Sequence, residues 1–129
     1  MPQLFSLLPG QYALVRFPPD APVPQWAFAP GGFASVTRNA DELSIVCLAA
    51  LAPAGVRSDG GWCCLKLQGP FAFDQVGILS SFAVPLAQAS VGIFAISTFD
   101  TDYILVKESQ RELAIRALVS AGHTIAADG

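Results

Sequence analysis

The chain has 129 residues, of which 53% are hydrophobic and 13% are charged, and its formal net charge at pH 7 is −3. The seven basic residues are scattered and form no stripe that could neutralise phosphates, which argues against nucleic-acid binding. No apolar run approaches the ~20 residues of a membrane span, and three cysteines without a CxxC spacing favour neither a disulfide framework nor a zinc site.

The first half of the sequence predicts three strands and a proline-rich connection. The strands are YALVRF (Tyr12–Phe17), FASVTR (Phe33–Arg38) and ELSIVCL (Glu42–Leu48). The segment between the first two strands holds five prolines and cannot form a long helix, so we expect at most one turn around Gln25–Ala27.

The second half predicts the element order β-α-β-β-α-β. The elements are, in chain order, a strand at Trp62–Gly69, a helix within Phe73–Ala89, strands at Gly92–Phe99 and Asp102–Glu108, a helix within Glu108–Gly122 and a last strand from His123. Asp74 is placed to cap the first helix, and Pro85 is expected to kink or break its last turn. The rules of strand pairing resolve this order as an α+β fold, a four-stranded antiparallel sheet with both helices on one face.

Helical spacing of apolar residues predicts the buried faces of both helices. The first face is Val76, Leu79, Phe82, Ala83 and Leu86, and the second includes Leu113 and Ala117.

The two halves resemble each other, which indicates an internal duplication. VTRNADELSIV aligns with ISTFDTDYILV at an offset of 60 residues, and LVRF aligns with CLKL at an offset of 50. The first copy has no long first helix, and its second helix is reduced to LAALAPAG. We therefore predict a degenerate module at residues 1–61 and a complete module at 62–129, each too small to bury a core alone.

Few residues suit catalysis. The single histidine, His123, follows the last helix, where its charged form would favour the helix C-terminus and where we expect a surface or helix-end residue. No Ser-His-Asp or Cys-His set is marked beside it. We expect no enzyme activity and no cofactor.

Asp100 and Asp102 stand two residues apart and allow two interpretations. Two carboxylates are a weak signal for a metal site, because a calcium loop needs a longer run of oxygen ligands. A hairpin turn in which Asp100 accepts hydrogen bonds from its own backbone is the simpler interpretation, and we predict no metal.

The beginning of the first helix offers a third possibility. Its unpaired N–H groups near Gly77 suit a carboxylate, and Asp102 could meet an ammonium group, so the two together would suit a free amino acid. Close packing of the helix on the sheet is the structural alternative for Gly77.

The β-α-β-β-α-β order, together with the segments GPFAFDQVGIL, ISTFDTDYILV and FASVTRNADELSIVC, resembles small bacterial ACT-domain proteins, similar to the ACT repeats of CASTOR amino-acid sensors. The resemblance covers about Tyr12 to His123. It implies two tandem ACT-like modules with a ferredoxin-like fold, the first degenerate, acting as an amino-acid-binding regulatory unit. The alternative is a ligand-free dimerisation or interaction module that regulates a partner enzyme.

The resemblance also implies a set of effector-binding residues. By position they are Ser35, Val36, Thr37, Phe73, Asp74, Gln75, Gly77, Ile78, Ser97, Thr98, Phe99, Asp100 and Asp102. Sensors of the arginine type carry an acidic residue where this chain has Gln75, which disfavours a cationic amino acid, whereas Asp102 still suits an α-amino group.

Composition adds two expectations about partners and location. A small chain with so little charge is expected to bury apolar surface against a second copy, which makes a homodimer. The N-terminal segment lacks the basic residues of a signal peptide, and the cysteines are interpreted as buried thiols in a reducing cytoplasm.

Overall fold

A computed structural model describes residues 2–69 and 76–126 and divides the chain into two compact units. We call residues Gly10–Trp62 the inserted unit, and Met1–Pro9 together with Cys63–Gly129 the split unit. The units differ from the predicted modules in the first nine residues, which join the second half of the chain, and at Trp62, which belongs to the inserted unit. The predicted two-module division itself stays a prediction.

The described residues form eight strands, two α-helices and three 3-10 turns. The strands are β1 (Leu4–Leu7), β2 (Tyr12–Phe17), β3 (Ser35–Arg38), β4 (Leu43–Leu48), β5 (Ser58–Leu67), β6 (Phe94–Ser97), β7 (Asp102–Lys107) and β8 (Thr124–Ile125). The helices are α1 (Ile78–Gln88) and α2 (Arg111–Ser120), and the 3-10 turns are Gln25–Ala27, Ala49–Leu51 and Glu108–Gln110. Neither α-helix of the described ranges is long and apolar enough to cross a membrane.

The inserted unit is an antiparallel sheet without an α-helix in any of its residues, all of which are described. Its strand order is β3-β4-β2 followed by the first half of β5. Val15, Leu43 and Ile45 lie in its core. The five prolines permit only the 3-10 turn Gln25–Ala27, as the sequence predicts, and this turn places Ala27 in the core and Trp26 against it.

The split unit has a mixed sheet, not the four-stranded antiparallel sheet that the sequence predicts. Its strand order is β6-β7-β5-β1-β8, with β1 antiparallel to β5 and parallel to β8. Backbone bonds from Thr124 N to Gln3 O (2.9 Å) and from Ala126 N to Phe5 O (2.7 Å) hold the parallel pair. The short strand β1, which the sequence analysis does not predict, therefore lies between β5 and the last strand, β8.

Both helices of the split unit pack on one face of its sheet, as predicted. Residues from β1, β5 and β7 share one core cluster with residues of the two helices, namely Phe5, Leu65, Leu67, Ile104, Val106, Ile78, Phe82, Leu86, Ala114 and Leu118. The buried face of α1 begins two residues later than predicted, at Ile78, because Val76 precedes the helix and is 85% exposed. In α2 the buried residues are Ala114 and Leu118, whereas Leu113 is exposed.

Pro85 does not break α1, because another part of the split unit replaces the hydrogen bond that it removes, and the predicted kink stays a prediction. The helix continues to Gln88. A proline has no N–H, so the carbonyl of Ser81, four residues earlier, lacks its helical donor. The Nε2 atom of His123 lies 2.7 Å from the Ser81 carbonyl oxygen and supplies that donor.

His123 is thus a helix-end residue with a structural role, as predicted, but it is buried and does not lie on the surface. Its ring is 4% exposed and stacks on Phe82 with centroids 3.9 Å apart. The backbone N–H of Gln3 donates to Nδ1 at 3.1 Å, so Nδ1 is unprotonated and the proton is on Nε2. Both ring nitrogens are used, one for β1 and one for α1.

The hairpins of the two units begin at matching positions. Strands β3 and β6, strands β4 and β7, and the 3-10 turns that follow each hairpin start 59 residues apart. The predicted alignment at 60 is therefore one residue out of register with the observed elements.

Candidate functional site

The turn between β6 and β7 is closed by threonines. The backbone N–H of Thr98 donates to the Thr101 carbonyl at 2.8 Å, and the Thr98 hydroxyl donates to the same oxygen at 3.1 Å. The Thr98 hydroxyl oxygen also accepts from the Thr101 N–H at 3.3 Å. The side-chain bonds of this turn thus come from Thr98, whereas the sequence assigns them to Asp100, which is exposed.

The structure brings together two of the predicted site residues, Ser97 and Asp102. They lie opposite each other on β6 and β7, and the Ser97 hydroxyl donates to Oδ1 of Asp102. Cross-strand neighbours and alternate residues share a face of the sheet. Because Ile104 points into the core under the helices, Ser97 and Asp102 also lie on the helix-covered face.

Gly77 and Ile78 lie at the beginning of α1. Gly77 has a φ of 85°, a left-handed conformation that favours glycine, and its carbonyl accepts the first helical bond from Ser81 N at 2.9 Å. Its conformation, more than close packing on the sheet, explains the glycine, since among the described residues an added Cβ would meet only the Ser80 hydroxyl, at 3.7 Å. The Ile78 side chain packs in the core.

The other predicted site residues fall elsewhere. Phe73, Asp74 and Gln75 lie outside the described residues. Ser35, Val36 and Thr37 lie on β3 of the inserted unit, opposite β4. Phe99 is 78% exposed in the turn after β6. The assignment of these residues to one effector site stays a prediction.

The opposite face of the split-unit sheet carries a cavity of about 220 Å³ at the end of β5. Its lining is Lys66, Gln68, Gly69, Asp100 and Thr101. Lys66 and Gln68 point away from the helices, because the intervening Leu67 lies in the core. Of the predicted residues that the structure describes, only Asp100 lines this cavity.

Gly69 and Thr101 fix the floor of the cavity by close contact. A Cβ atom on Gly69 would lie 2.6 Å from the carbonyl oxygen of Asp100, so only glycine fits against this turn. The Thr101 hydroxyl donates to the Leu67 carbonyl at 2.5 Å and ties the turn to β5.

Sequence reasoning did not identify four of the lining residues, which are Lys66, Gln68, Gly69 and Thr101. The one signal available for Lys66 is a lysine between two apolar strand residues, Leu65 and Leu67, that both prove to be fully buried. Such a lysine is common at any half-exposed strand position, and only the fold shows that it borders a cavity.

The buried thiols of the split unit are poorly suited to nucleophilic chemistry. Burial raises the pKa of the Cys63 thiol to about 11 and that of the Cys64 thiol to about 12, so both are protonated at neutral pH. Burial also raises the pKa of Tyr103, and the thiolate that Cys64 forms at high pH and the Asp100 carboxylate add to this effect. Within residues 2–69 and 76–126, no three His, Cys, Asp or Glu side chains converge on one point.

Comparison with known proteins places these observations in a family. The ACT-domain profile matches residues 57–120, and a second profile, described as an N-terminal domain, matches residues 10–54. The crystal structure of protein Atu0741 from Agrobacterium tumefaciens is 43% identical, covers 100% of this chain and 96% of its own, and superposes with a TM-score of 0.93. No curated protein matches the chain.

More distant structures show the same fold. A protein of unknown function from Vibrio cholerae, described as a possible transport protein, is 20% identical with a TM-score of 0.75 over 93% of this chain and 90% of its own. The regulatory subunit of aspartate kinase from Thermus thermophilus is 14% identical with a TM-score of 0.58 over 86% of this chain and 91% of its own.

These matches confirm the predicted α+β, ferredoxin-like ACT fold of the split unit. The profile match covers β5, α1, β6, β7 and α2, so this part of the chain is an ACT domain, and the whole chain is similar to protein Atu0741 at 43% identity.

Proposed function

We propose that the chain is a regulatory module with no catalysis of its own, and that it binds an amino acid as its effector. The observation that carries this proposal is the cavity of the split unit. Its lining offers a ligand the ammonium group of Lys66 and the carboxylate of Asp100, which complement the two charges of a free amino acid. Regulatory subunits of aspartate kinase share the fold, which supports a regulatory role.

The state of the histidine and the cysteines supports a non-catalytic role. A general base needs a free nitrogen within reach of its proton, and both nitrogens of His123 already bond to backbone groups. A nucleophilic cysteine needs thiolate character, and the raised pKa values of Cys63 and Cys64 work against it.

The proposal includes the wider arrangement that the resemblance implies. The chain is two tandem ACT-like modules, the first degenerate, similar to CASTOR-type sensors. The matching start positions of the two hairpins support the duplication. We also propose a cytoplasmic homodimer, whose copies would pair at β6, because β6 has a single described neighbour in its sheet, β7.

A thermal-shift screen of the protein against the twenty amino acids tests this function. A ligand at one hundred times its Kd adds about 2.7 kcal/mol of stability to the folded state, which raises Tm by several degrees. We expect one or a few amino acids to give such a shift, with titration calorimetry confirming saturable binding. No shift with any amino acid would overturn the proposal.

The alternative, a ligand-free interaction module that regulates a partner enzyme, has one observation in its favour. Two large apolar side chains of the split unit, Val76 and Phe99, are 85% and 78% exposed, as at a protein-binding surface. This alternative predicts no shift with any amino acid, together with self-association that Val76→Ser and Phe99→Ser weaken in sedimentation experiments.

A further inference from the structure

The turns of the two hairpins match residue by residue. The Asn39 N–H donates to the Glu42 carbonyl at 3.0 Å, as the Thr98 N–H donates to the Thr101 carbonyl at 2.8 Å. Asn39 therefore corresponds to Thr98, and Glu42 corresponds to Thr101. The side-chain oxygens agree, because Asn39 Oδ1 accepts from the Glu42 N–H at 2.9 Å and Thr98 Oγ1 from the Thr101 N–H at 3.3 Å.

In the inserted unit a cation from the neighbouring strand reaches this turn. Arg16 of β2 points away from the core, since Val15 lies inside it. Its Nη2 donates to the Asp41 carbonyl at 3.0 Å, and its Nε lies 3.9 Å from the Glu42 carboxylate. A positive side chain and a carboxylate of the chain itself thus meet beside the turn.

The split unit has the corresponding cation but lacks the carboxylate. Lys66 stands on β5 as Arg16 stands on β2, with buried leucines on either side of it. Thr101 takes the place of Glu42, and its hydroxyl is bonded to the Leu67 carbonyl. Among the described residues no hydrogen bond or ion pair engages the Lys66 ammonium group. The space that remains is the cavity of about 220 Å³.

We infer that the split-unit cavity binds the carboxylate of the effector, which pairs with Lys66 as Glu42 pairs with Arg16. The inference rests on the proposed function for the identity of the ligand as an amino acid. The carboxylate of Asp100 on the lining takes the α-ammonium group and disfavours a second negative charge on the ligand.

The charges of the lining narrow the ligand further. One cation and one carboxylate match the two charges of a zwitterion, so an uncharged side chain fits them best. The ligand class is a zwitterionic amino acid with an uncharged side chain, bound on the face of the sheet opposite Ser97 and Asp102.

The experiment measures the affinity of the best amino acid from the screen by calorimetry in four proteins. They are the unaltered chain, Lys66→Gln, Arg16→Gln as the matched control in the inserted unit, and Asp102→Asn as the probe of the helix-covered face. Loss of a charge-assisted bond predicts that Lys66→Gln weakens binding about tenfold or more, while Arg16→Gln and Asp102→Asn change it less than about threefold. The amine that corresponds to this amino acid without its α-carboxylate should give no shift in Tm.

Several outcomes separate this inference from the proposed function. If an amino acid binds Lys66→Gln as tightly as the unaltered chain, the cavity is not the binding site, although the proposed amino-acid binding still holds. The same conclusion follows if Asp102→Asn alone removes binding. If no amino acid shifts Tm, acetate and inorganic phosphate are screened. If acetate then binds and needs Lys66, the cavity is a carboxylate site but the proposed amino-acid function is wrong. If only phosphate binds, or nothing does, the carboxylate site is also wrong.

Discussion

The inserted and split units place their hairpins alike but cover their sheets differently. Each has a hairpin beside a third strand, β3-β4-β2 in one and β6-β7-β5 in the other. The split unit covers its sheet with two helices, whereas the inserted unit packs the rings of Phe17 and Trp26, 6.3 Å apart, against its core. The same arrangement of three strands therefore forms whether helices or aromatic side chains cover the sheet. The two units differ mainly in the side chains that complete the core and in those that bond within the hairpin turn.

The largest expected effect on stability concerns a hydrogen bond of the split unit that has no counterpart in the inserted unit. It joins His123 to the Ser81 carbonyl, which Pro85 leaves without a helical donor. His123→Ala removes the stacked ring and leaves two backbone groups, Gln3 N–H and Ser81 C=O, without their partners. At ~1–3 kcal/mol for each unsatisfied group, the free energy of unfolding should fall by about 3 kcal/mol or more. Urea denaturation measures the loss, and hydrogen exchange should locate it in α1 and β1.

A double-mutant cycle with Pro85→Ala isolates the cause. An alanine at 85 restores a helical N–H for the Ser81 carbonyl, so His123→Ala should cost less in that background. Equal costs in both backgrounds would show that the Ser81 bond contributes nothing to the role of His123.

The second prediction uses the thiols, two in the split unit and one, Cys47, in the inserted unit. Because the fold raises the Cys63 and Cys64 pKa values from 9.0 to about 11 and about 12, the unfolded chain releases these protons first. The contribution of the two protonated thiols to the free energy of unfolding is therefore complete below pH 9. Above pH 9 it declines by about 1.4 kcal/mol per pH unit for each thiol.

Thermal unfolding between pH 8 and pH 11 checks this decline. Cys63→Ala and Cys64→Ala should each flatten the dependence of stability on pH. The decline that remains in the double variant belongs to Cys47 and Tyr103, whose pKa values burial also raises. A decline as steep as in the unaltered protein would contradict the prediction.

The third prediction tests the contact that forms the cavity floor. Gly69→Ala places a Cβ 2.6 Å from the Asp100 carbonyl oxygen, so the turn must shift. Overpacking of this kind costs about 1–3 kcal/mol, and effector affinity should fall with it. Gly92→Ala is the matched control, because nothing lies within 4 Å of its added Cβ, and a similar loss in both variants would argue against the contact.

The smallest effect is expected at the closed turn of the inserted unit. Glu42→Ala breaks an ion pair of 3.9 Å between half-exposed side chains, and exposed pairs contribute roughly 0–1 kcal/mol. Denaturation should therefore barely change. A loss well above 1 kcal/mol would mean that the Arg16 contact holds the hairpin itself and is a poor guide to the open site around Lys66.

Local patterns predicted most of the elements, because apolar alternation and proline content act over a few residues. The hairpins, the helices and the 3-10 turn at Gln25–Ala27 follow from such patterns. Strand β1 was not predicted, because LFSL shows no clear alternation of apolar and polar residues. It is a strand only through its pairing with β5 and β8. The bond that permits Pro85 within α1 joins residues 42 positions apart and leaves no local signal.

The candidate site was predicted less well, for a similar reason. A resemblance supplies residues by position along the chain, whereas the faces of a strand alternate. Asp100 and Asp102 stand two residues apart in one turn and strand, yet only Asp100 lines the cavity. Lys66 becomes a candidate only when its surroundings are compared with those of Arg16.

The position of β1 between β5 and β8 has a consequence for how the chain folds. Every strand pair of the inserted unit closes within residues 10–62, so this unit can form while synthesis continues. The first strand must wait for its partners, and the bond between Gln3 and His123 spans 120 positions. Contacts this remote slow folding, so refolding should show a fast phase from the inserted unit and a slow one when β1 docks.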